Sequence, residues 1–98
     1  MQSIILCGLG FMGSMHLQAY LAMPSVRLAG VVDKRKAHAR KTLDQLGLTK
    51  TPVFPTLAKA LASVENTVVD VCLPTDLHEA FALEALAANK ALFCEKPL

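Results

Sequence analysis

Three glycines in Gly8-Leu9-Gly10-Phe11-Met12-Gly13 are the residues of this chain best suited to holding an anion. They follow the apolar run Ile4-Ile5-Leu6-Cys7 and open a helical pattern, and Asp33 closes the next apolar run, 23 residues after Gly10. Gly8 lets the chain turn sharply off a strand, Gly10 leaves no side chain in the way of a pyrophosphate, and Gly13 lets the helix pack closely on the sheet. The phosphates then lie over Gly10, Phe11 and Met12, facing unpaired N–H groups and the positive end of the helix dipole. Asp33 stands near the roughly 20-residue spacing of an acid that accepts hydrogen bonds from the ribose hydroxyls of a dinucleotide. Its charge repels a 2′-phosphate and so favours NAD over NADP. Lys34 and Arg35 can pair with that phosphate or stack on adenine, which leaves NADP open.

Such a turn needs a strand before it and a helix after it, and the whole chain repeats that alternation. Residues 2–7 form a first strand, and 11–23 a helix stopped at Met23-Pro24-Ser25. Residues 26–32 form a second strand ending at Asp33. A polar helix over 35–46 buries Ala39, Leu43 and Leu46 and ends at Gly47. Residues 51–54 allow only a short third strand, after which Thr56 caps a helix with Leu57, Leu61 and Val64 on one face. A fourth strand spans 68–73 and is ended by Pro74. An Ala-rich helix runs from Asp76 to about Asn89, and 91–94 make a fifth strand. The expectation is an α/β fold with a doubly wound, Rossmann-type parallel sheet in the order 3-2-1-4-5, helices on both faces, and one domain over residues 1–98. Ligands bind such sheets outside the carboxyl ends of the strands, where the order reverses. That rim collects the glycine turn, Asp33, residues 74–78, Glu95 and Lys96.

Composition narrows the classes. The net charge is only +2 and the basic residues are scattered, which gives no electrostatic reason to expect nucleic acid. Hydrophobic residues reach 53%, yet no apolar run approaches the roughly 18 residues of a membrane span. The excess therefore belongs to a packed interior or a partner surface. Three cysteines in apolar runs read as reduced thiols of a cytoplasmic protein. Cys7, Cys72 and Cys94 fall on adjacent strands at similar heights, but no histidine stands beside them at ligand spacing. They are expected to be small core residues, with no metal site. His16, on a helix that already carries Leu17 and Leu21, is expected to pack structurally.

Leu73-Pro74-Thr75-Asp76-Leu77-His78, followed by Asn89-Lys90-Ala91-Leu92-Phe93-Cys94-Glu95-Lys96-Pro97-Leu98, adds a more specific signal. Together with the glycine turn, the chain resembles the N-terminal domain of the glucose–fructose oxidoreductase/inositol dehydrogenase/MocA family over its whole length. The family shows an apolar strand, a Thr-Pro-like turn, a histidine four residues on, an Ala-rich helix, and a strand ending in Glu-Lys-Pro. Here the turn reads Pro74-Thr75, and Asn89-Lys90-Ala91 stands where Gly-Lys-His is usual. His16 matches the histidine that often follows the glycine turn.

The resemblance implies that Lys96 lies beside the nicotinamide and substrate and handles the proton of the alcohol or carbonyl, with Glu95 positioning the lysine or the cofactor. It places Pro74, Thr75 and His78 on the cofactor side of the rim, and implies a cis bond between Lys96 and Pro97. It also implies a second α/β domain that shapes the substrate site and carries the oligomer interface. The expected partners are therefore a dinucleotide, a polyol or sugar-like substrate in a longer parent, and further copies of the chain. The alternative is a stand-alone module that binds nucleotide or self-associates without catalysis.

Overall fold

The computed structural model describes residues 2–65, 68–88 and 90–94, with 75, 76 and 91–94 described by their backbone. The elements follow the expected alternation: β1 (Gln2–Cys7), α1 (Phe11–Leu21), β2 (Val26–Val32), α2 (Lys36–Gln45), β3 (Val53–Phe54), α3 (Leu57–Ser63), β4 (Val68–Val71), α4 (Thr75–Ala87) and β5 (Ala91–Cys94). The strands form one sheet in the order β3-β2-β1-β4-β5, and every neighbouring pair is parallel.

Side chains alternate across each strand, so β1 feeds two separate cores. Leu6 joins Leu9, Leu17, Val31, Ala39, Leu43 and Val53 under α1 and α2. Ile5 and Cys7 join Val32, Val69, Val71, Leu57, Ala60 and Ala85 under α3 and α4. Both faces of the central strand are thus buried from Ile4 to Cys7, which is why that stretch is continuously apolar rather than alternating.

One irregularity interrupts the ladder. Ile4 pairs with Leu28 but Ile5 pairs with Gly30, so β2 carries one extra residue, Ala29, opposite β1. Leu28 and Val31 both pack on the α1/α2 side although they are three apart, an odd spacing that a regular strand forbids. The bulge supplies the missing half-step. Beside it, Phe54 of β3 lies against Gly30, where an added Cβ would come within 3.0 Å of the ring.

Helix ends depart from the expected bounds by one or two residues. α1 stops at Leu21 rather than 23: Met23 precedes Pro24 and is pushed out of the helical region, and the N–H groups of Ala22 and Met23 close short bonds to Ala19 and Tyr20. α4 begins at Thr75, one residue early, because Pro74 already sits extended at the cap position. β4 ends at Val71 and β3 shortens to two residues. Thr56 caps α3 as expected, its hydroxyl accepting from the Lys59 N–H at 3.2 Å. Val64 leaves the helix in extended backbone.

Candidate functional site

The strand order reverses at β1, whose neighbours are β2 on one side and β4 on the other. The loops leaving β1 and β4 therefore meet at the carboxyl rim, and the three glycines show how tightly. Gly8 has φ +92°, and a Cβ there would lie 2.5 Å from the Cys72 carbonyl oxygen and 2.8 Å from Leu73. Only glycine turns the chain at this point. At Gly13 a Cβ would lie 1.9 Å from the Gly8 carbonyl oxygen, so the first turn of α1 rests directly on the backbone of the loop that leads into it. Around Gly10 the same test meets nothing nearer than the Arg35 guanidinium at 3.8 Å. No backbone crowds Gly10 as it does Gly8 and Gly13, so the approach to this peptide is left clear.

The N-terminus of α1 suits an anion for a further reason. Gly10 occupies its cap position without a side-chain cap, and the first turn holds no acidic residue. The N–H groups of the first turn thus lack a capping side chain, and no carboxylate competes for the positive end of the dipole. Phe11 is 81% exposed, so its side chain takes no part in the core beneath.

Asp33 stands at the end of β2 against this turn, only 7% exposed. One carboxylate oxygen accepts from the Leu9 N–H at 2.9 Å and the other from the Arg35 N–H at 2.8 Å. The Arg35 guanidinium adds longer contacts of 3.4 Å to both oxygens. Burial pushes the carboxyl up, but the hydrogen bonds from Arg35 and Leu9 and the guanidinium charge outweigh it and hold the group below the usual carboxylate range. Asp33 is therefore an anchored anion at the carboxyl rim, beside the glycine turn. Lys34 and Arg35 beside it are exposed.

On the β4 side, the Pro74 carbonyl accepts from the Leu77 and His78 N–H groups at 3.0 Å, fixing the start of α4. His78 Nε2 is buried and finds no hydrogen-bond partner among the described residues. Thr75 opens α4 by its backbone. Glu95, Lys96 and the bond from Lys96 to Pro97 lie outside the described residues.

Two expectations need correction. His16 is not a simple packing residue, and a histidine does lie beside one of the cysteines. Its Nδ1 is 2.7 Å from Oδ2 of Asp70 and 3.2 Å from Cys72 Sγ. Asp70, fully buried in β4, also accepts from the Tyr20 hydroxyl, and the Cys72 thiol reaches its other oxygen at 3.5 Å. Burial pushes the Tyr20 hydroxyl far up, helped by the hydrogen bond to Asp70 and the nearby charge. One donor atom from each of His16, Asp70 and Cys72 falls within 4.8 Å of the others. They are hydrogen-bonded among themselves and to Tyr20, which makes the group a polar brace between α1 and β4.

Cys7 and Cys72 lie on opposite faces of the sheet, and the side chain of Cys94 lies outside the described residues. Cys7 faces the α3/α4 core, whereas Cys72 packs on the α1/α2 side and is partly exposed. Asp70 escaped the sequence reading because it is a single acid in an apolar strand; the hydroxyl and imidazole that satisfy it lie 50 and 54 positions away.

Known proteins share this fold. The model of an oxidoreductase family with an NAD-binding Rossmann fold, Gfo/Idh/MocA, matches residues 3–98. The chain is 38% identical over 93 residues to the inositol 2-dehydrogenase/D-chiro-inositol 3-dehydrogenase of Lactiplantibacillus plantarum, covering 93% of this chain and 26% of that protein. It is 30% identical to the myo-inositol 2-dehydrogenase of Thermotoga maritima, covering 93% and 27%. Among solved structures, GenD2 from gentamicin A biosynthesis in complex with NAD superposes with TM-score 0.88 at 33% identity, over 99% of this chain and 27% of that one. The UDP-N-acetylglucosamine 3-dehydrogenase GnnA of Acidithiobacillus ferrooxidans gives 0.81 at 31%, over 98% and 28%. The chain thus spans about a quarter of the length of these relatives. With its glycine turn, anchored acid and parallel sheet, the chain belongs to the Gfo/Idh/MocA oxidoreductase family and corresponds to its NAD-binding Rossmann domain.

Proposed function

We propose that this chain is the cofactor-binding part of a dehydrogenase that moves a hydride between nicotinamide C4 and a carbon of a cyclitol- or sugar-like alcohol. The observation that carries the cofactor half is the pairing of an open Gly10 with an anchored Asp33 at one rim. The substrate class is supported by the relatives, several of which are inositol dehydrogenases. The dinucleotide lies with its pyrophosphate over Gly10, Phe11 and Met12, and its adenosine ribose at Asp33. Lys34 and Arg35 flank the ribose, while Pro74, Thr75 and His78 border the nicotinamide side. Asp33 favours NAD, because a 2′-phosphate would meet a held carboxylate; NADP is the weaker ligand.

Alcohol oxidation releases a hydride from carbon and a proton from the hydroxyl. A neutral Lys96 amine accepts that proton and returns it in the reverse direction, with Glu95 orienting the lysine. Burial beside the cofactor is what would lower the lysine pKa enough for this role. The protein works in the cytoplasm as a homo-oligomer. Among the described residues no helix is long and apolar enough to cross a membrane.

Calorimetric titration with NAD and NADP tests the first half: NAD binding with the smaller Kd is expected, and equal or tighter NADP binding would show that Lys34 and Arg35 outweigh Asp33. Oxidation of inositols and sugars by the intact enzyme tests the second.

A second reading is a nucleotide-binding module that associates with itself. The outer side of α1 favours it, for Phe11, Met12 and Met15 are exposed there at 81, 39 and 53%. Sedimentation of the chain separates the two: a monomer at high concentration removes the module.

A further inference from the structure

One side chain from a different element reaches the backbone of the glycine turn. His38, in the first turn of α2, brings Nε2 to 3.2 Å from the Leu9 carbonyl oxygen. A carbonyl oxygen only accepts, so Nε2 carries the proton in this contact. The peptide before it is held as well, because the Leu9 N–H donates to Asp33. Successive peptides of the turn are thus fixed by two elements, the acid after β2 and the imidazole on α2.

The peptide joining Leu9 to Gly10 most needs such a hold. It ends in a glycine, which tolerates either sign of φ, so rotation of this peptide meets little steric resistance. A trans peptide carries its C=O and N–H in opposite directions. Anchoring the Leu9 oxygen towards α2 therefore points the Gly10 N–H away from α2. Released, the same peptide can turn its oxygen outward and present lone pairs to an anion where a donor is required.

We propose that His38 is a positioning residue for the dinucleotide pyrophosphate, acting through the peptide between Leu9 and Gly10. The inference rests on dinucleotide binding by this chain and adds a residue outside the glycine-and-acid pattern. His38 is exposed while Ala39 and Leu43 anchor α2 in the core, so truncating the imidazole leaves the helix its packing.

The test compares His38→Ala and His38→Gln with the unaltered chain. NAD and ADP-ribose are titrated by calorimetry, and adenosine by chemical-shift changes. His38→Ala is expected to weaken NAD and ADP-ribose by roughly 3- to 10-fold, the scale of one lost hydrogen bond. Adenosine, which lacks the pyrophosphate, should bind as before. His38→Gln, whose amide nitrogen can donate from a similar reach, should recover most of the loss. In the free protein the Gly10 amide resonance should move in the alanine variant and return in the glutamine one. Undiminished NAD binding by His38→Ala, an equal loss for adenosine, or a glutamine variant as weak as the alanine one overturns the proposal. An unaltered chain that binds no dinucleotide overturns the function on which it rests.

Discussion

The Leu9 backbone amide donates to the Asp33 carboxylate at 2.9 Å across 24 positions of sequence, tying the glycine turn to the end of β2. Asp33 shapes the loop, and the proposed function gives it a second task at the ribose. Asp33→Asn removes the charge and, because its amide nitrogen cannot accept, gives up one of the two backbone hydrogen bonds from Leu9 and Arg35. NAD affinity is expected to fall by about 10-fold or more, as for loss of a charged hydrogen-bond acceptor. NADP should lose less, so the ratio of the two affinities narrows. Paired titrations of parent and variant check this, and an unchanged ratio would separate Asp33 from cofactor choice.

The same carboxyl sets a pH dependence. Its folded pKa is lower than its unfolded one, so the unfolded chain binds the proton first as pH falls. The stabilisation is fully present above about pH 4, the ordinary carboxyl range, and is lost as pH drops through the lower folded value. Denaturant midpoints measured at a series of acidic pH values should fall less steeply for Asp33→Asn than for the parent. Parallel curves would mean that Asp33 contributes nothing to the acid limb.

Gly13 and Gly10 separate folding from binding. A methyl group at Gly13 collides with the Gly8 carbonyl, whereas at Gly10 it meets only ordinary contact. Gly13→Ala should cost about 1–3 kcal/mol of stability through forced backbone shifts. Gly10→Val should leave the thermal midpoint close to the parent's while abolishing NAD binding. Melting curves and titrations on the two variants decide it; a stable Gly13→Ala protein that binds NAD normally would refute the close-packing account.

The buried carboxyl group of Asp70 is held by Tyr20, His16 and the Cys72 thiol. Removing a donor should be worse than its size suggests, so Tyr20→Phe is expected to destabilise by about 1–3 kcal/mol. Asp70→Ala should cost more than Tyr20→Phe, because it removes the hydrogen bonds to both Tyr20 and His16 at once. Chemical denaturation measures both. A loss below the range for Tyr20→Phe would show that His16 and the Cys72 thiol satisfy the carboxyl group without the tyrosine.

The proposed function expects Lys96→Ala in the longer enzyme to lower turnover by about 100-fold or more, the scale of a lost proton-transfer group, with NAD affinity largely kept. Steady-state kinetics alongside NAD titration provide the check, and full turnover by the variant would move the chemistry to another residue.

What the sequence made legible follows from how local each signal is. The glycine turn could be read because its requirements, a positive φ and a Cβ-free approach, fall on residues a few positions apart. Asp33 could be read because a fixed spacing joins it to that turn. Thr56 announced its helix for the same reason. His38 and Asp70 could not be read this way. One acts on a carbonyl 29 positions away and the other is satisfied across 50 and 54, relations that exist only once α1 and α2 lie on the sheet. The odd interval between Leu28 and Val31 was a visible sign of irregularity in β2, but it acquires meaning only against the register of β1.

That interval has a mechanical consequence. The half-step at Ala29 divides β2 into a lower part, facing the turn after α1, and an upper part that carries Asp33 to the rim. A one-residue change in the loop at 23–25 can be absorbed there by gaining or losing the extra position, while the pairs from Ile5 and Gly30 upward keep their partners. The cofactor end of the sheet is thereby insulated from length drift at its opposite end, as a joint in a rail keeps strain on one side from reaching the other.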